Sequence, residues 1–242
     1  MRRRTYLRTV SMAMPGLLLT GWAPAGAAVR PVHLRLHDIA QGAHAEALRA
    51  GVELGLEDVR HAARVLQVPI LVHRGADAIA LPVGEQAVHI VVSEKDDQYV
   101  FAGAGPCAPR VYTCALNHWR PEAWSVASRP VPCSAGPPRL DWHPTLDTPA
   151  AGQLGARFAH RYGMPMTEPA WRGWMAAKAA FEIALRSGAG EEDPLVLRLD
   201  GHKGRSLRFS EDGHLVQPTY RVTAGRAALA APVDHDRLID AG

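Results

Sequence analysis

The stretch from residue 32 to residue 72 does most to limit the folds open to this chain. Residues 32–39 (VHLRLHDI) alternate apolar and polar side chains, the period of a strand with one buried face. After Gln41-Gly42-Ala43 the period changes. Leu48, Val52, Leu56, Val59 and Ala63 recur every three or four residues, with Glu46, Arg49, Glu53, Arg60 and Arg64 largely off that stripe. This spacing predicts an amphipathic helix of about 20 residues. Residues 68–72 form a compact apolar run and read as a buried strand. Strand, long helix and strand in close succession make a βαβ unit, which predicts a parallel sheet. The fold class that follows is α/β, a Rossmann-like parallel sheet flanked by helices.

The rest of the chain extends this pattern. Residues 77–82, 87–93 (AVHIVVS) and 99–102 are further strand candidates. Residues 106–144 are rich in proline and cysteine, show no clear period and read as irregular, with a short strand at 111–114. Leu154, Phe158 and Tyr162 make an i, i+4 stripe that Gly163 ends. Glu168-Pro169 opens the next helix, with proline in the first turn where its missing N–H costs nothing. Trp171, Trp174, Met175, Lys178, Phe181 and Leu185 share one face of that helix and read as core; Ser187-Gly188 closes it. Residues 207–209 and 215–222 predict a hairpin around Glu211-Asp212-Gly213. From residue 223 an alanine-rich, flexible tail is expected.

The first 27 residues of the 242 read as an export signal. Arg2, Arg3, Arg4 and Arg8 give a basic opening, residues 10–19 a mildly apolar stretch, and Ala25-Gly26-Ala27 a small-x-small cleavage site. Arg3-Arg4-Thr5-Tyr6-Leu7-Arg8 also resembles the twin-arginine pattern, so an ordinary secretory route and the route for folded proteins both stay open. The formal charge of +3 rests on these arginines; without the four of them the balance is 23 basic to 24 acidic residues. The basic pI is therefore no sign of a nucleic-acid surface. No later run reaches the roughly 18 apolar residues of a membrane span. The expected location is the periplasm, with cleavage near Ala27.

Cys107, Cys114 and Cys133 allow one disulfide in an oxidising compartment, and three pairings are open. With His118 and His143 they could instead form a copper or zinc site, but the C-x6-C-x3-H-x14-C spacing matches no common ligand set. The twelve histidines are scattered along the chain and read as surface or core residues. There is no G-x-S-x-G elbow, S-x-x-K, H-E-x-x-H or P-loop. Gly103-Ala104-Gly105 follows a strand-like run without the third glycine of a dinucleotide fingerprint. No enzyme activity and no cofactor are expected.

His44-Ala-Glu-Ala-Leu-Arg-Ala-Gly-Val-Glu-Leu-Gly-Leu-Glu-Asp-Val59 resembles the opening of type I periplasmic solute-binding proteins, the family of the leucine/isoleucine/valine-binding proteins of ABC importers. Asp141-Trp142-His143-Pro144, Gln153-Leu-Gly-Ala-Arg-Phe158, Tyr162-Gly-Met-Pro165 and Trp171-Arg-Gly-Trp-Met-Ala-Ala-Lys178 resemble its later part. So do Leu199-Asp-Gly-His-Lys-Gly204 and Asp212-Gly-His-Leu-Val-Gln-Pro-Thr-Tyr220. This second set is most similar to homologues found with PQQ-dependent alcohol oxidation systems. The resemblance implies one α/β lobe over residues 28–222, with 94–140 standing in place of most of a second lobe. It also implies a small ligand, an organic acid, an amino acid or an alcohol-oxidation metabolite, held by loops after the early strands. Those loops place Gln41, Gly42, His44, Gly103 and Gly105 as candidate ligand-binding residues. An ABC permease or a periplasmic dehydrogenase is the implied partner. A single lobe with no ligand of its own, acting as an accessory protein or a homodimer, is the alternative.

Overall fold

A computed structural model describes residues 30–74, 87–95, 109–116, 123–128, 139–187, 194–223 and 225–229. Its centre is a five-stranded parallel sheet made of β1 (Val32–Asp38), β2 (Ile70–Arg74), β3 (Ala87–Val92), β4 (Arg110–Tyr112) and β5 (Ala123–Ser125). The strand order is β2-β1-β3-β4-β5. The α/β reading is thus borne out. Register assigns each residue to a face. Leu34 and Leu36 of β1 lie level with Val88 and Ile90 of β3, and Ile90 leads on to Val111 and Trp124. These side chains join one core with α1 (Ala45–Val65) and α3 (Glu168–Ser187).

The two helices meet more closely than side chains would allow. A Cβ at Gly51 would stand 1.9 Å from the Ala170 carbonyl oxygen, one at Gly55 2.6 Å from that of Trp174, and one at Gly173 2.2 Å from that of Leu48. Three glycines bring backbone against backbone, and Trp171, Trp174 and Met175 fill the space beside them with no exposure at all. The aromatic and methionine stripe is core, as its spacing predicts. Gly51→Ala should therefore lose about 1–3 kcal/mol, the usual cost of overpacking, although alanine is the better helix former. Gly152 and Gly155 of α2 (Pro149–Tyr162) have nothing within 4 Å of a built Cβ. Alanine there should gain up to about 1 kcal/mol each. Urea unfolding of the three variants checks the opposite signs.

α2 starts and stops where the sequence indicates. The Thr148 hydroxyl accepts the Ala151 N–H, Pro149 fills the first position, and Gly163 ends the helix at φ +69°. Elsewhere the sequence expectations need correction. The run expected at 68–72 as a buried strand is β2 at Ile70–Arg74, an edge strand with no fully buried residue and with Leu71 47% exposed. β4 falls at Arg110–Tyr112, and β5 lies inside the stretch expected to be irregular; three residues are too few to show a period. The strand expected over 215–222 is two. β8 (Leu215–Val216) pairs with β7 (Ser206–Phe209), and β9 (Tyr220–Thr223) begins after Pro218, which has no N–H for a ladder. The hairpin turn carries Gly213 at φ +77°. β6 (Leu199–Asp200) completes a three-stranded antiparallel sheet with β7 and β8. Within the expected tail, β10 (Arg226–Leu229) pairs with β9. The strand candidates at 77–82 and 99–102 lie outside the described residues. No described helix is long and apolar enough to cross a membrane.

Candidate functional site

In an open parallel sheet the chain leaves neighbouring strands in opposite directions where the strand order reverses, and a crevice opens at their carboxyl ends. Here the reversal falls between β1 and β3. Asp38 ends β1, residues 39–44 lead into α1, and Ser93-Glu94-Lys95 follow β3. Arg49, one turn into α1, donates from Nε to Asp38 Oδ2 (2.5 Å) and from Nη2 to the Ala40 carbonyl (2.5 Å). That pairing raises the Arg49 pKa further and fixes the exit of β1. His44 caps α1 without a side-chain hydrogen bond; its N–H instead donates to Glu94 Oε1 at 3.3 Å. A Cβ on Gly42 would lie 2.1 Å from Glu94 Oε2, the end of a flexible side chain, so a larger residue there would push this carboxylate off the loop.

The hydroxyls at the strand ends are engaged within the protein. Thr113 Oγ1 accepts the Ser93 N–H (2.9 Å) and donates to the Ser93 carbonyl (2.6 Å), joining the ends of β3 and β4. Ser125 Oγ donates to the Cys114 carbonyl (2.6 Å) and accepts the Ala127 N–H (3.1 Å). Ser93 Oγ donates to the Lys95 carbonyl (2.6 Å). They brace the rim of the crevice.

The second face of the sheet is polar and, over much of β1 and β3, buried. Register puts His33, Arg35 and His37 of β1 on it with His73 of β2, His89 of β3, and Arg110 and Tyr112 of β4. His33, Arg35 and His89 are buried. The sequence expectation of one buried face for β1 is therefore corrected: both faces are covered. His37 and His89 stack at an interplanar angle of 8°, with Nε2 and Nδ1 2.9 Å apart. His33 and His73 stack at 5°, with Nδ1 and Nε2 3.1 Å apart. One ring of each pair donates and the other accepts. Burial, then the partner His37 and the charges of Arg35 and Arg110, pushes His89 down to about 4. Burial and the same arginines also lower His37, so this pair is neutral at ordinary pH.

Beyond β5 four charged groups share one buried site. Asp141 Oδ2 accepts from Arg172 Nε (2.9 Å) and Nη2 (2.7 Å), and the same Nη2 donates to Glu168 Oε1 (2.8 Å). The Asp141 N–H donates to Glu168 Oε1 (2.7 Å), and the Ser128 N–H donates to Asp141 Oδ2 (3.2 Å). Lys203 Nζ donates to Gln217 Oε1 and lies 3.7 Å from the centre of the Trp171 ring. Burial raises the Asp141 carboxyl, but Arg172, then Lys203 and the hydrogen bonds, outweigh that and hold it below the usual range. At Lys203 burial, with Arg172 adding to it, outweighs the Asp141 and Glu168 carboxylates, and the amine is pushed down to about 7. Burial likewise raises the Glu168 carboxyl. This quartet ties residues 126–128, α3 and the C-terminal sheet together. The sequence held no signal for it, because its members lie on separate segments and Lys203 reads as an ordinary loop charge.

Of the residues expected to bind ligand, Gln41, Gly42 and His44 lie together at the crevice, exposed, in the loop before α1. Gly103 and Gly105 lie outside the described residues. Asp38, Arg49 and Glu94 stand beside the first three, and His37 and His89 stack on the polar face; none of the five is among the residues expected to bind ligand. The alternation H-x-R-x-H at 33–37 was the available signal for the buried histidines. Cys114 is buried; Cys107, His118 and Cys133 lie outside the described residues, so neither a disulfide nor the metal set involving them is in view. His143 Nδ1 instead sits 2.9 Å from Thr145 Oγ1. Among the described residues no three His, Cys, Asp or Glu side chains are placed to hold a metal.

No protein-family model matches the sequence. No curated protein matches it either. Among solved structures, the chain is similar to one from Rhodospirillum rubrum described as a branched-chain amino acid ABC transporter, at TM-score 0.47 and 11% identity, over 83% of this chain and 99% of that one. It is similar to an ABC transporter solute-binding protein from R. palustris in complex with benzoate, at TM-score 0.44 and 12% identity, over 84% and 95% of the two chains. It is also similar to a branched-chain amino acid ABC transporter periplasmic ligand-binding protein from Burkholderia xenovorans LB400, at TM-score 0.30 and 11% identity, over 83% of this chain and 58% of that one.

Proposed function

We propose that this chain is a periplasmic solute-binding module of the ABC importer type I class. It takes one small organic acid, amino acid or alcohol-oxidation metabolite into the crevice between the carboxyl ends of β1 and β3. The observation that carries the reading is the strand order, which reverses at β1/β3 and opens the crevice where an α/β sheet receives its ligand. The rim there is polar and exposed, with Gln41, His44, Asp38 and Arg49 around it. One lobe covers one face of a solute, whereas a good pocket buries about 70–90% of it. Affinity should be correspondingly weak, with Kd on the order of millimolar. An ABC permease is the matching partner.

A second reading has its own support. Ser93, Thr113 and Ser125 spend their hydroxyls on neighbouring backbone, and Val65 and Leu66 stand exposed at the end of α1. A lobe with a self-satisfied edge and exposed apolar side chains suits an accessory protein of a periplasmic PQQ-dependent dehydrogenase, or a homodimer.

A thermal-shift panel of amino acids, alcohols, aldehydes and carboxylates separates the two. A solute at 100 times its Kd adds about 2.7 kcal/mol to the fold, which in a chain of this size moves Tm by about 5–10 °C. A saturable shift for one chemical class supports solute binding. A cooperative melt that no solute moves, with a dimer in sedimentation, supports the second reading.

A further inference from the structure

We infer that the corner where α1 turns into β2 docks on an anionic phospholipid surface. This goes beyond the solute-binding reading and does not depend on it. Val65 and Leu66 end α1 at 70% and 53% exposure, and Pro69 stands exposed three residues on. Cations surround these apolar groups. Arg60 and Arg64 lie one turn apart on the exposed side of α1, with His61 beside them. Arg30 is exposed just before β1, whose Val32 N–H donates to the Pro69 carbonyl (2.8 Å). Among the described residues no carboxylate forms an ion pair with Arg30, Arg60 or Arg64. The acids in the second half of α1 are engaged elsewhere, Glu57 by Arg161 and Asp58 by Arg157, and Glu53 is held by Arg74. The corner is thus apolar at its tip and positive around it, the complement of acyl chains beneath a layer of phosphates. Arginine suits such a rim, because its stem lies along apolar groups while the guanidinium meets phosphate. The course of the chain argues for lipid over a protein. The export signal expected to end at Ala27 stops three residues before Arg30, a reach of about 10 Å. A leader seated in a bilayer therefore holds this corner close to the headgroups. A second copy is a poor occupant, since a two-fold contact here would set the arginines of one copy against those of the other. Docking also leaves the crevice free, because it lies at the far end of α1, whose 21 residues span about 30 Å.

Hydroxyl-radical footprinting of the full chain reads the corner directly. The probes are vesicles of phosphatidylcholine, vesicles of equal parts phosphatidylcholine and phosphatidylglycerol, and soluble polyglutamate. Residues 1–27 can bring the chain to a vesicle by themselves, so protection at 65–69 is the deciding signal. Oxidation of Val65, Leu66 and Pro69 should fall on the anionic vesicles, stay unchanged on the neutral ones, and return in high salt. Arg60→Glu together with Arg64→Glu should raise the lipid needed for half protection by about tenfold or more. Leu66→Asn keeps the charges, removes the apolar tip and should weaken protection by about tenfold as well. A thermal melt of each variant shows that the fold is kept. A chain that binds no anionic vesicle, or binds with Val65 and Leu66 oxidised as in solution, overturns the inference. So does equal protection on neutral vesicles, or wild-type protection in the double arginine variant. Protection by polyglutamate as strong as that by vesicles assigns the corner to an acidic protein and overturns the lipid surface as its occupant.

Discussion

Asp141→Ala should cost the fold about 3–5 kcal/mol, the loss expected when one partner is removed from a buried ion pair. Asp141 receives two hydrogen bonds from Arg172 and one from the Ser128 N–H, and its side chain is only 3% exposed. Alanine leaves Arg172 with Glu168 alone and the Ser128 N–H without its acceptor. The Arg172 side chain is 27% exposed, so water can relieve part of the charge and the loss should fall at the lower end of that range. Asp141→Asn keeps the shape and an acceptor and should lose less, about 1–2 kcal/mol. Urea unfolding followed by tryptophan fluorescence is the natural readout, because Trp142 and Trp171 stack beside the quartet at 6.1 Å. A loss below about 1 kcal/mol for alanine would mean that the quartet adds little to the fold.

The second large effect concerns pH. The Lys203 amine falls from an ordinary 10.5 to about 7 through burial. Between pH 7 and 10.5 the folded chain therefore holds fewer protons at this site than the unfolded chain. Stability then rises with pH across that window, by up to about 1.4 kcal/mol per pH unit. Below pH 7 the full cost of a buried ammonium is present; above 10.5 it is gone. Lys203→Met should remove this rise and be more stable than the wild type near pH 6, even though it gives up the contact with Gln217. Unfolding free energies at four pH values from 6 to 9.5 decide the matter. Parallel curves for the two proteins would show that Lys203 keeps its proton in the fold.

The elements that were legible in the sequence are those whose burial follows one period. α1, α2 and α3 each carry a stripe, α2 and α3 also a stop signal, and β1 and β3 are long enough to show a pattern. β5 and β10 are too short, or too rich in small residues, to show one. The polar side of β1 misled because His33, Arg35 and His37 look solvated one at a time. Only the register shows that they meet His73, His89 and Arg110. The candidate site was half legible. Gln41, Gly42 and His44 could be placed from the strand-to-helix turn. Glu94 could not, because its contact with the His44 N–H spans 50 positions of sequence.

The glycine-mediated meeting of α1 and α3 also orders events during folding. Gly51 and Ala170 touch in the finished protein but lie more than a hundred residues apart along the chain. The first strand, helix and strand can gather early because their contacts are local. The helix face bearing Leu48, Gly51, Val52 and Gly55 has no permanent cover until α3 has been synthesised. Loop-closure entropy of that size makes the docking slow compared with helix formation. Through that interval the half-made chain shows apolar surface to its surroundings, the condition in which chaperones engage nascent proteins and aggregation competes with folding.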